Sequence, residues 1–434
     1  MADVRKLTHE LLISYESEKR YVNLLLSSHR LAGLTKEETA MLTALLYTTV
    51  EKKLKYDYII CSYAKRQTAD IDPYVLAALR LGLCQIYDMS SIPDFAAVNE
   101  TVKLARHKGE SSFINAILRR AVREKSAPPL PDREKNEARY LSVYYSVPLK
   151  TVKYFRTLFG SDTEELLKAF SKSSPLSVTV NENKVSKEAL LQRLSAQGIK
   201  ASGSKYTDNG IVFEESLPPK SIDGFDRGEF FVQDEASRIA ARVLSAERGE
   251  LIVDVCSAPG GKALAAAIKV GEGGKVYAFD LHASKLSLIK DSAERLGLSN
   301  IEVGELDATL GAPELLGKAD RVICDVPCSG LGVFSKKPDL RYKDIDTTED
   351  LPALQYEILK KSAQYLKTGG VLVYSTCTLD PKENELVTDK FISETDGFTY
   401  EDFDVCDLKC KGKITLLPHV HGTDGFYIAK LRKL

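Results

Sequence analysis

Apolar residues recur every three or four positions from about residue 3 to residue 125, without the strict alternation of a half-buried strand, and this spacing predicts a series of helices. Two helix starts are recognisable. Thr35–Glu38 (TKEE) is a capping box, and Asp72-Pro73 is a cap followed by a first-turn proline. The APPLP run at 127–131 cannot continue a helix. We therefore predict an all-helical domain over residues 1–126.

The pattern changes between residues 140 and 225. A strand at 176–180, a helix at 186–197 and a second strand at 211–214 follow one another. This β-α-β order predicts a small α+β module similar to RNA-recognition or split ferredoxin-like folds. A mere spacer domain is the alternative interpretation.

The remaining chain, residues 226–434, alternates strands with helices. The segment 229–238 (EFFVQDEASR) is predicted to open it with an edge strand and a helix. Apolar, largely β-branched runs then mark strands at 251–255, 275–280, 301–308, 321–328 and 369–378, with helices between them and a closing pair near 414 and 426–431. This alternation predicts a doubly wound, Rossmann-like, mostly parallel sheet of seven strands with a terminal hairpin. The whole chain is thus expected to be multidomain.

Composition and charge narrow the environment of the protein. A chain of 434 residues with 44% hydrophobic residues is long enough for two or three cores. Its formal net charge is −1, so any nucleic-acid surface must be a local patch. No stretch approaches the ~20 apolar residues of a membrane span, and the eight scattered cysteines fit a reducing compartment better than a disulfide framework. We expect a cytoplasmic protein.

A glycine-rich turn follows the first strand of the last domain, in the sequence LIVDVCSAPGGK at 251–262. A phosphate-binding P-loop would need glycine in place of Cys256 and Ser or Thr in place of Ala263. The dinucleotide fingerprint G-x-G-x-x-G is also missing from this turn. Gly260 and Gly261 still let the backbone approach a ligand closely. We therefore predict a nucleoside site that favours S-adenosylmethionine over ATP or NAD.

Acidic or reactive residues lie at the carboxyl ends of the central strands, which is the edge where open α/β sheets bind ligands. They are Asp254, Asp280, Asp307, Asp325 with Cys328, and Cys377. Asp280 is predicted to bind the ribose hydroxyls of a nucleoside, with a helix cap as the alternative. Asp307 is predicted to accept a hydrogen bond from the exocyclic amine of an adenine, with a loop-capping role as the alternative.

Two of these residues are thiols, Cys328 in DVPCSG and Cys377 in YSTCT. A buried structural cysteine is the usual alternative, but each thiol lies in a polar turn at the ligand edge. If the sheet order places their strands together, both thiols can face one substrate. A thiol beside a methyl donor suits alkylation of pyrimidine carbon 5, because addition at carbon 6 loads electron density onto carbon 5. Asp325 is placed to act as the acid at ring nitrogen 3, and Lys262 is expected to favour the thiolate.

Together, DVCSAPGGK, DVPCSG and YSTCT resemble the RNA 5-methylcytosine methyltransferase family, from about residue 225 to residue 434. The resemblance implies a class I methyltransferase fold in which Cys377 is the nucleophile and Cys328 assists product release; in DNA cytosine methyltransferases the Pro-Cys thiol attacks instead. The residues predicted to bind the methyl donor are Cys256, Ser257, Ala258, Pro259, Gly260, Gly261, Lys262, Asp280, Asp307 and Asp325.

This chain departs from the family pattern at two places. Val326 replaces a frequent proline, and the run 335–339 (SKKPD) replaces the usual R-H-P-D run with its arginine and histidine. The second departure bears on RNA contact rather than on the reaction.

The stretch 72–124 resembles the NusB-like RNA-binding domain that precedes the catalytic domain in bacterial ribosomal RNA cytosine methyltransferases, most specifically in AAVNETVKLA and SSFINAILRR. Between residues 98 and 125 there are seven Lys or Arg residues against three acids. A solvated helix surface is the alternative, but the resemblance favours a phosphate-binding face. The predicted RNA-binding residues are Lys103, Arg106, Arg119, Arg120 and Arg123.

These features predict S-adenosylmethionine-dependent methylation of carbon 5 of a cytosine in 16S ribosomal RNA through a covalent bond between Cys377 and cytosine carbon 6. The expected partner is 16S RNA that is unassembled or partly assembled, bound by a monomer. The alternatives are a transfer-RNA, other RNA or DNA cytosine methyltransferase, and a non-catalytic ribosome-assembly factor. The spacing of Cys406, Cys410, His419 and His421 resembles a zinc site, but Pro418 and a Lys-rich loop indicate surface residues, so no metal is predicted.

Overall fold

A computed structural model describes residues 3–18, 20–26, 33–172, 174–215 and 217–434. The chain forms two compact units. The first unit consists of Met1–Ser171 with Lys337–Lys343, and the second consists of Lys172–Lys336 with Asp344–Leu434.

The first unit begins with helices, as predicted: α1 Val4–Glu18, α2 Val22–Leu26, α3 Lys36–Glu51, α4 Lys53–Ala64, α5 Pro73–Asp88, α6 Asp94–Val102 and α7 Lys108–Arg123. Thr35 and Glu38 form the predicted capping box at the start of α3, and the Asp72 side chain caps α5. The centre of the core is α5, where Leu79 and Leu83 are fully buried. Each such side chain contributes about 1.5–3 kcal/mol relative to an exposed one.

Three further helices and one distant segment belong to the same unit: α8 Glu137–Tyr144, α9 Leu149–Phe159, α10 Thr163–Phe170 and residues 337–343. The sequence predicts that the middle module begins at residue 140. In the structure, α8, α9 and α10 instead belong to the first unit, because their side chains contact its helices. Ser146 Oγ, for example, accepts a hydrogen bond from Leu54 N at 2.9 Å. Arg341, which is 1% exposed, donates to the carbonyls of Glu51 and Tyr145 at 3.2 and 3.3 Å.

The second unit contains a small antiparallel sheet with the order β2-β3-β1-β4 and one helix, α11. Its elements are β1 Ser177–Val180, α11 Lys187–Ala196, β2 Ala201–Gly203, β3 Gly210–Phe213 and β4 Phe230–Val232. The predicted α+β module is therefore present. The segment 229–238 is predicted to open the last domain with a strand, and this is wrong. Its strand, β4, pairs with β1 and belongs to the small sheet, where Phe230 packs into the core.

The rest of the second unit is a large α/β layer structure. Its elements are α12 Glu235–Val243, β5 Leu251–Asp254, α13 Gly261–Val270, β6 Lys275–Asp280, α14 Ala283–Leu296, β7 Ile301–Glu305, β8 Ala319–Asp325, α15 Leu351–Ala363, β9 Leu366–Thr376, α16 Glu385–Glu394, β10 Phe398–Tyr400, β11 Phe403–Val405, β12 Leu408–Cys410, β13 Lys413–Leu416, α17 Pro418–His421 and β14 Phe426–Lys433. Strands β11 and β12 form a separate ribbon.

Seven strands follow one another in the order β10-β14-β9-β8-β5-β6-β7, and β13 joins as an eighth by pairing with β14. The five strands from β9 to β7 are parallel, while β14 runs antiparallel to its neighbours and forms the predicted hairpin with β13. The chain leaves β5 towards β6 on one side and returns to β8 on the other, which makes the carboxyl end of β5 a switch point where α/β sheets bind ligands. Across the described residues, no helix combines the length and apolar character needed to cross a membrane.

Candidate active site

The turn between β5 and α13 lies at this switch point. Gly260 has φ 111°, and a Cβ at this residue would lie 3.2 Å from Ile289, so a side chain here would be both strained and crowded. Asp254 ends β5 and is 1% exposed. Burial raises the pKa of Asp254 to about 7; the Lys262 cation opposes this rise and the Asp325 carboxylate adds to it.

The next two strands bring carboxylates to the same edge. Asp280, at the end of β6, accepts hydrogen bonds from Ala258 N at 3.1 Å and from His282 N at 3.0 Å, so it braces the glycine-rich turn. Asp307, after β7, accepts from Thr309 N at 2.9 Å and from Thr309 Oγ1 at 2.6 Å. These hydrogen bonds lower the pKa of Asp307. They are the bonds expected if Asp307 caps its own loop, which is the alternative interpretation.

The predicted donor-binding residues line the ends of four neighbouring strands, β7, β6, β5 and β8. They fit S-adenosylmethionine for three reasons. The turn at Gly260 admits a close ligand, the Asp280 carboxylate is suited to ribose hydroxyls, and Ser257 Oγ is buried without a hydrogen-bond partner within the described chain.

Lys262 and Asp325 form an ion pair beside this turn. Lys262 Nζ lies 2.6 Å from Asp325 Oδ2, and the lysine side chain is 8% exposed. The other carboxylate oxygen of Asp325 accepts from Ser375 Oγ at 2.6 Å. The Lys262 cation also lies 5.1 Å from the centre of the Phe426 ring. The immediate partners of Lys262 are therefore the Asp325 carboxylate and the face of the Phe426 ring, and not a thiol.

The two predicted thiols meet. Strands β8 and β9 are parallel neighbours, and Cys328 Sγ lies 3.2 Å from Cys377 Sγ in the turns that follow them. All eight cysteines are free. The hydrogen bond to Cys377, followed by burial, raises the pKa of Cys328 well above its usual range. Either sulfur can be the donor of this contact.

Three further buried polar residues, which lie outside the motifs of the sequence, hold the thiol turns: Gln355, Glu383 and Asn384. Gln355 lies on the buried face of α15, among Ile358 and Leu359. A polar residue at an apolar position of a helix is the sequence signal that could have found it. Glu383 and Asn384 lie in the polar segment just before α16, which gives no such signal.

The predicted RNA-binding residues lie on α7 and just after α6, and most of them have partners there. Lys103 pairs with Glu100, Arg106 with Asp72 and Glu110, and Arg120 with Glu124, while Arg119 donates to Asn115. Arg123 is exposed near the end of α7. The basic character of this surface is thus partly neutralised by its own acids.

The SKKPD run has protein partners. Lys336 forms ion pairs with Asp234 and, at 2.9 Å, with Asp424. Asp339 accepts a hydrogen bond from Val22 N at 3.1 Å in the first unit. In the part of the chain that the structure describes, no three His, Cys, Asp or Glu residues gather as a metal site.

Comparison with known proteins gives three family matches. Residues 241–432 match 16S rRNA methyltransferase RsmB/F, residues 2–123 match the NusB family, and residues 148–219 match the ferredoxin-like domain of RsmF/B-like methyltransferases. The probable ribosomal RNA small subunit methyltransferase B of Bacillus subtilis is 35% identical, with 99% of this chain and 98% of that protein covered. This chain belongs to the RsmB/F family of 16S rRNA methyltransferases.

A second relative agrees with this assignment, and two solved structures have a similar fold. The Synechocystis protein with the same designation is 34% identical over 90% of both chains. The crystal structure of PH0851 has the same fold, with a TM-score of 0.81, 24% identity and coverage of 100% of this chain and 99% of that one. NSun6 from Pyrococcus horikoshii, solved with SFG, has a TM-score of 0.56 and 25% identity over 65% of this chain and 97% of that one.

The family assignment confirms several predictions. The helical, ferredoxin-like and Rossmann-like parts are those of the family, and S-adenosylmethionine is the methyl donor that its members use. The substrate of the family is small-subunit ribosomal RNA.

Proposed function

We propose that this protein methylates carbon 5 of a specific cytosine in 16S ribosomal RNA, with Cys377 as the nucleophile. The observation that carries the proposal is the 3.2 Å contact between Cys328 Sγ and Cys377 Sγ beside the Lys262–Asp325 ion pair. Methylation of a ring nitrogen, an amine or a ribose oxygen needs no thiol, because those atoms already carry a lone pair. Carbon 5 does need one, because it becomes a nucleophile only after carbon 6 has been attacked.

In the addition step, the Cys377 thiolate bonds to carbon 6 and breaks the double bond between carbons 5 and 6. Asp325 is the acid at ring nitrogen 3: as the cytosine binds, its carboxylate takes up a proton from solvent and passes that proton to nitrogen 3, which neutralises the charge that addition places on the ring. Lys262 Nζ, 2.6 Å from Asp325 Oδ2, stabilises the carboxylate that remains. When bound at residues 256–262, S-adenosylmethionine supplies a methyl group on a sulfonium sulfur, which carbon 5 attacks.

In the release step, carbon 5 loses its proton and the bond between Cys377 Sγ and carbon 6 breaks. In the free protein, the hydrogen bond to Cys377 is the largest cause of the raised pKa of Cys328. Once Cys377 is a thioether, Cys328 gives its own proton to solvent. The Cys328 thiolate then accepts the carbon 5 proton, and the electron pair of that C–H bond forms the new double bond between carbons 5 and 6. The electron pair of the broken bond to carbon 6 returns to Cys377 as a thiolate, and nitrogen 3 returns its proton to Asp325.

The substrate cytosine must be unpaired or turned out of its helix, because its ring has to meet both Cys377 and the methyl group. We propose that the protein acts in the cytoplasm as a monomer, on 16S RNA that is unassembled or partly assembled. The predicted basic residues, Lys103, Arg106, Arg119, Arg120 and Arg123, are proposed to bind RNA phosphates.

The test is to incubate the protein with methyl-labelled S-adenosylmethionine and with naked 16S RNA, partly assembled small subunits, mature small subunits or transfer RNA. We expect label in naked or partly assembled 16S RNA, recovered as 5-methylcytosine after nuclease digestion. Label only in transfer RNA, or label in another nucleoside, would overturn the proposal. The Cys377→Ala variant is the matched control for background transfer.

A further inference from the structure

The polar segment between Cys377 and α16 contains two buried neighbours with different partners. Glu383 and Asn384 are each 1% exposed. Burying an acid and an amide is costly unless their polar atoms have a use, and hydrophobic residues would fill the same space without that cost. Their hydrogen bonds therefore indicate what they do.

Glu383 and Gln355 hold the Cys328 turn from both sides of the thiol. Glu383 Oε2 accepts from Ser329 N at 2.9 Å and from Gln355 Nε2 at 2.8 Å. Gln355 Nε2 also donates to the carbonyl of Pro327 at 2.9 Å. The peptide groups before and after Cys328 are thus tied to one buried carboxylate–amide pair, and the backbone position of Cys328 depends on it.

Asn384 holds the Cys377 turn in the same manner. Its Oδ1 accepts from Thr376 Oγ1 at 2.5 Å, and its Nδ2 donates to the carbonyl of Thr378 at 3.0 Å. Residues on both sides of Cys377 are therefore tied to one side chain. The two turns also meet directly, since Ser329 Oγ and Thr378 Oγ1 are 2.6 Å apart.

We propose that Glu383 and Asn384 are positioning residues with divided roles: Glu383, through Gln355, places Cys328 for product release, and Asn384 places Cys377 for attack on carbon 6. This proposal rests on the proposed function, because it assigns the two supports to the two steps of that reaction. Neither side chain touches the reacting atoms. Each acts through the peptide groups that carry a thiol.

The experiment separates the two steps with the full-length protein. Single-turnover reactions with 16S RNA and donor are stopped in denaturant, and both the covalent RNA–protein adduct and the methylated product are quantified. Displacing a reacting group by about 1 Å typically slows a reaction about 100-fold, so we expect effects of about 10- to 100-fold on the affected step.

In Glu383→Ala, the adduct should form at nearly the wild-type rate and then accumulate, because release is slowed. In Asn384→Ala, adduct formation itself should be slowed and no adduct should accumulate. Glu383→Gln keeps an acceptor oxygen and should restore most of the turnover. The matched control is Glu385→Ala, next in sequence, whose carboxylate accepts from Thr415 Oγ1 at 2.9 Å and which should leave both steps unchanged.

The two variants should change the amount of adduct in opposite directions. A general loss of structure would lower addition and release together and would not give this difference. If Glu383→Ala melts below the assay temperature, Gln355→Met serves instead: it removes the amide that donates to Glu383 and to the Pro327 carbonyl, fills the space of the glutamine, and should also accumulate adduct. Parallel loss of addition and release in both variants would overturn the divided roles. If instead wild-type protein methylates no RNA and Cys328→Ala forms no adduct, the proposed function itself has failed.

Discussion

Replacing Asp254 with Asn should stabilise the unit that contains the large sheet, by an amount that depends on pH. Asp254 is 1% exposed at the end of β5, and burial raises its pKa to about 7. In an unfolded chain an Asp titrates at about 3.9. Ionisation of this carboxyl is therefore less favourable in the folded protein than in the unfolded chain. An Asp in a salt bridge shows the opposite behaviour.

The size of the effect follows from these two pKa values. At pH well below 4 the carboxyl is protonated in both states and ionisation costs nothing. As pH rises from about 4 to about 7, Asp254 ionises only in the unfolded chain, so the free energy of unfolding falls. Above about pH 7 the full destabilisation is present. The gap between an unfolded pKa of about 3.9 and a folded pKa of about 7 makes this cost about 1–2 kcal/mol at pH 5 and about 4 kcal/mol at pH 8.

Thermal melting of wild type and Asp254→Asn at several pH values measures this difference. For a domain of 150–250 residues, 1 kcal/mol shifts Tm by about 2–4 °C, so the variant should melt about 8–16 °C higher at pH 8 and only about 3–6 °C higher at pH 5. Asp291→Asn, on the exposed face of α14, is the control and should show no pH-dependent gain. A gain for Asp254→Asn that is equal at both pH values would refute the reasoning.

Three other outcomes are expected. Cys377→Ala should abolish methyl transfer, whereas Cys328→Ala should leave an RNA adduct visible on a denaturing gel; an adduct in the Cys377 variant would reverse the two roles. Lys262→Met should lower kcat by about 100-fold or more, because Asp325 loses its cation, while Lys262→Arg should retain more activity; equal rates for both variants would contradict an electrostatic role. RNA binding should weaken as salt rises, and Arg123→Ala should reduce the slope of log K against log salt by about 1; an unchanged slope would remove Arg123 from the RNA surface.

Features set by local pattern could be predicted from the sequence. The capping box at Thr35 and the strand, turn and helix around Gly260 lie within a few residues of their predicted positions, because they depend on neighbouring residues. The position of Cys328 and Cys377 at the ligand edge also follows, since parallel strands end on the same side. That β8 and β9 are neighbours could not be predicted in this way, because crossover connections decide strand order.

Features decided by distant contacts were missed. Strand β4 is three residues long, so its sheet is chosen by the partner it finds and not by its own pattern. Glu383 and Asn384 look like ordinary polar residues at a helix start, and only the folded chain brings Ser329 and Thr376 to them. Arg341 has the composition of an exposed loop residue, yet it is buried against backbone carbonyls.

Residues 337–343, which complete the first unit, are separated from the rest of it by the whole 172–336 stretch. During synthesis at about 5–20 residues per second, the ribosome reaches this segment roughly 10–30 s after finishing α10. Until then, the carbonyls of Glu51 and Tyr145 lack the Arg341 donor, and Tyr342 is not yet present to donate to Glu51. The helices of the first unit are therefore made before residues 337–343 but reach their final packing only after Cys328 has been translated, and a fragment ending at residue 171 would lack these contacts.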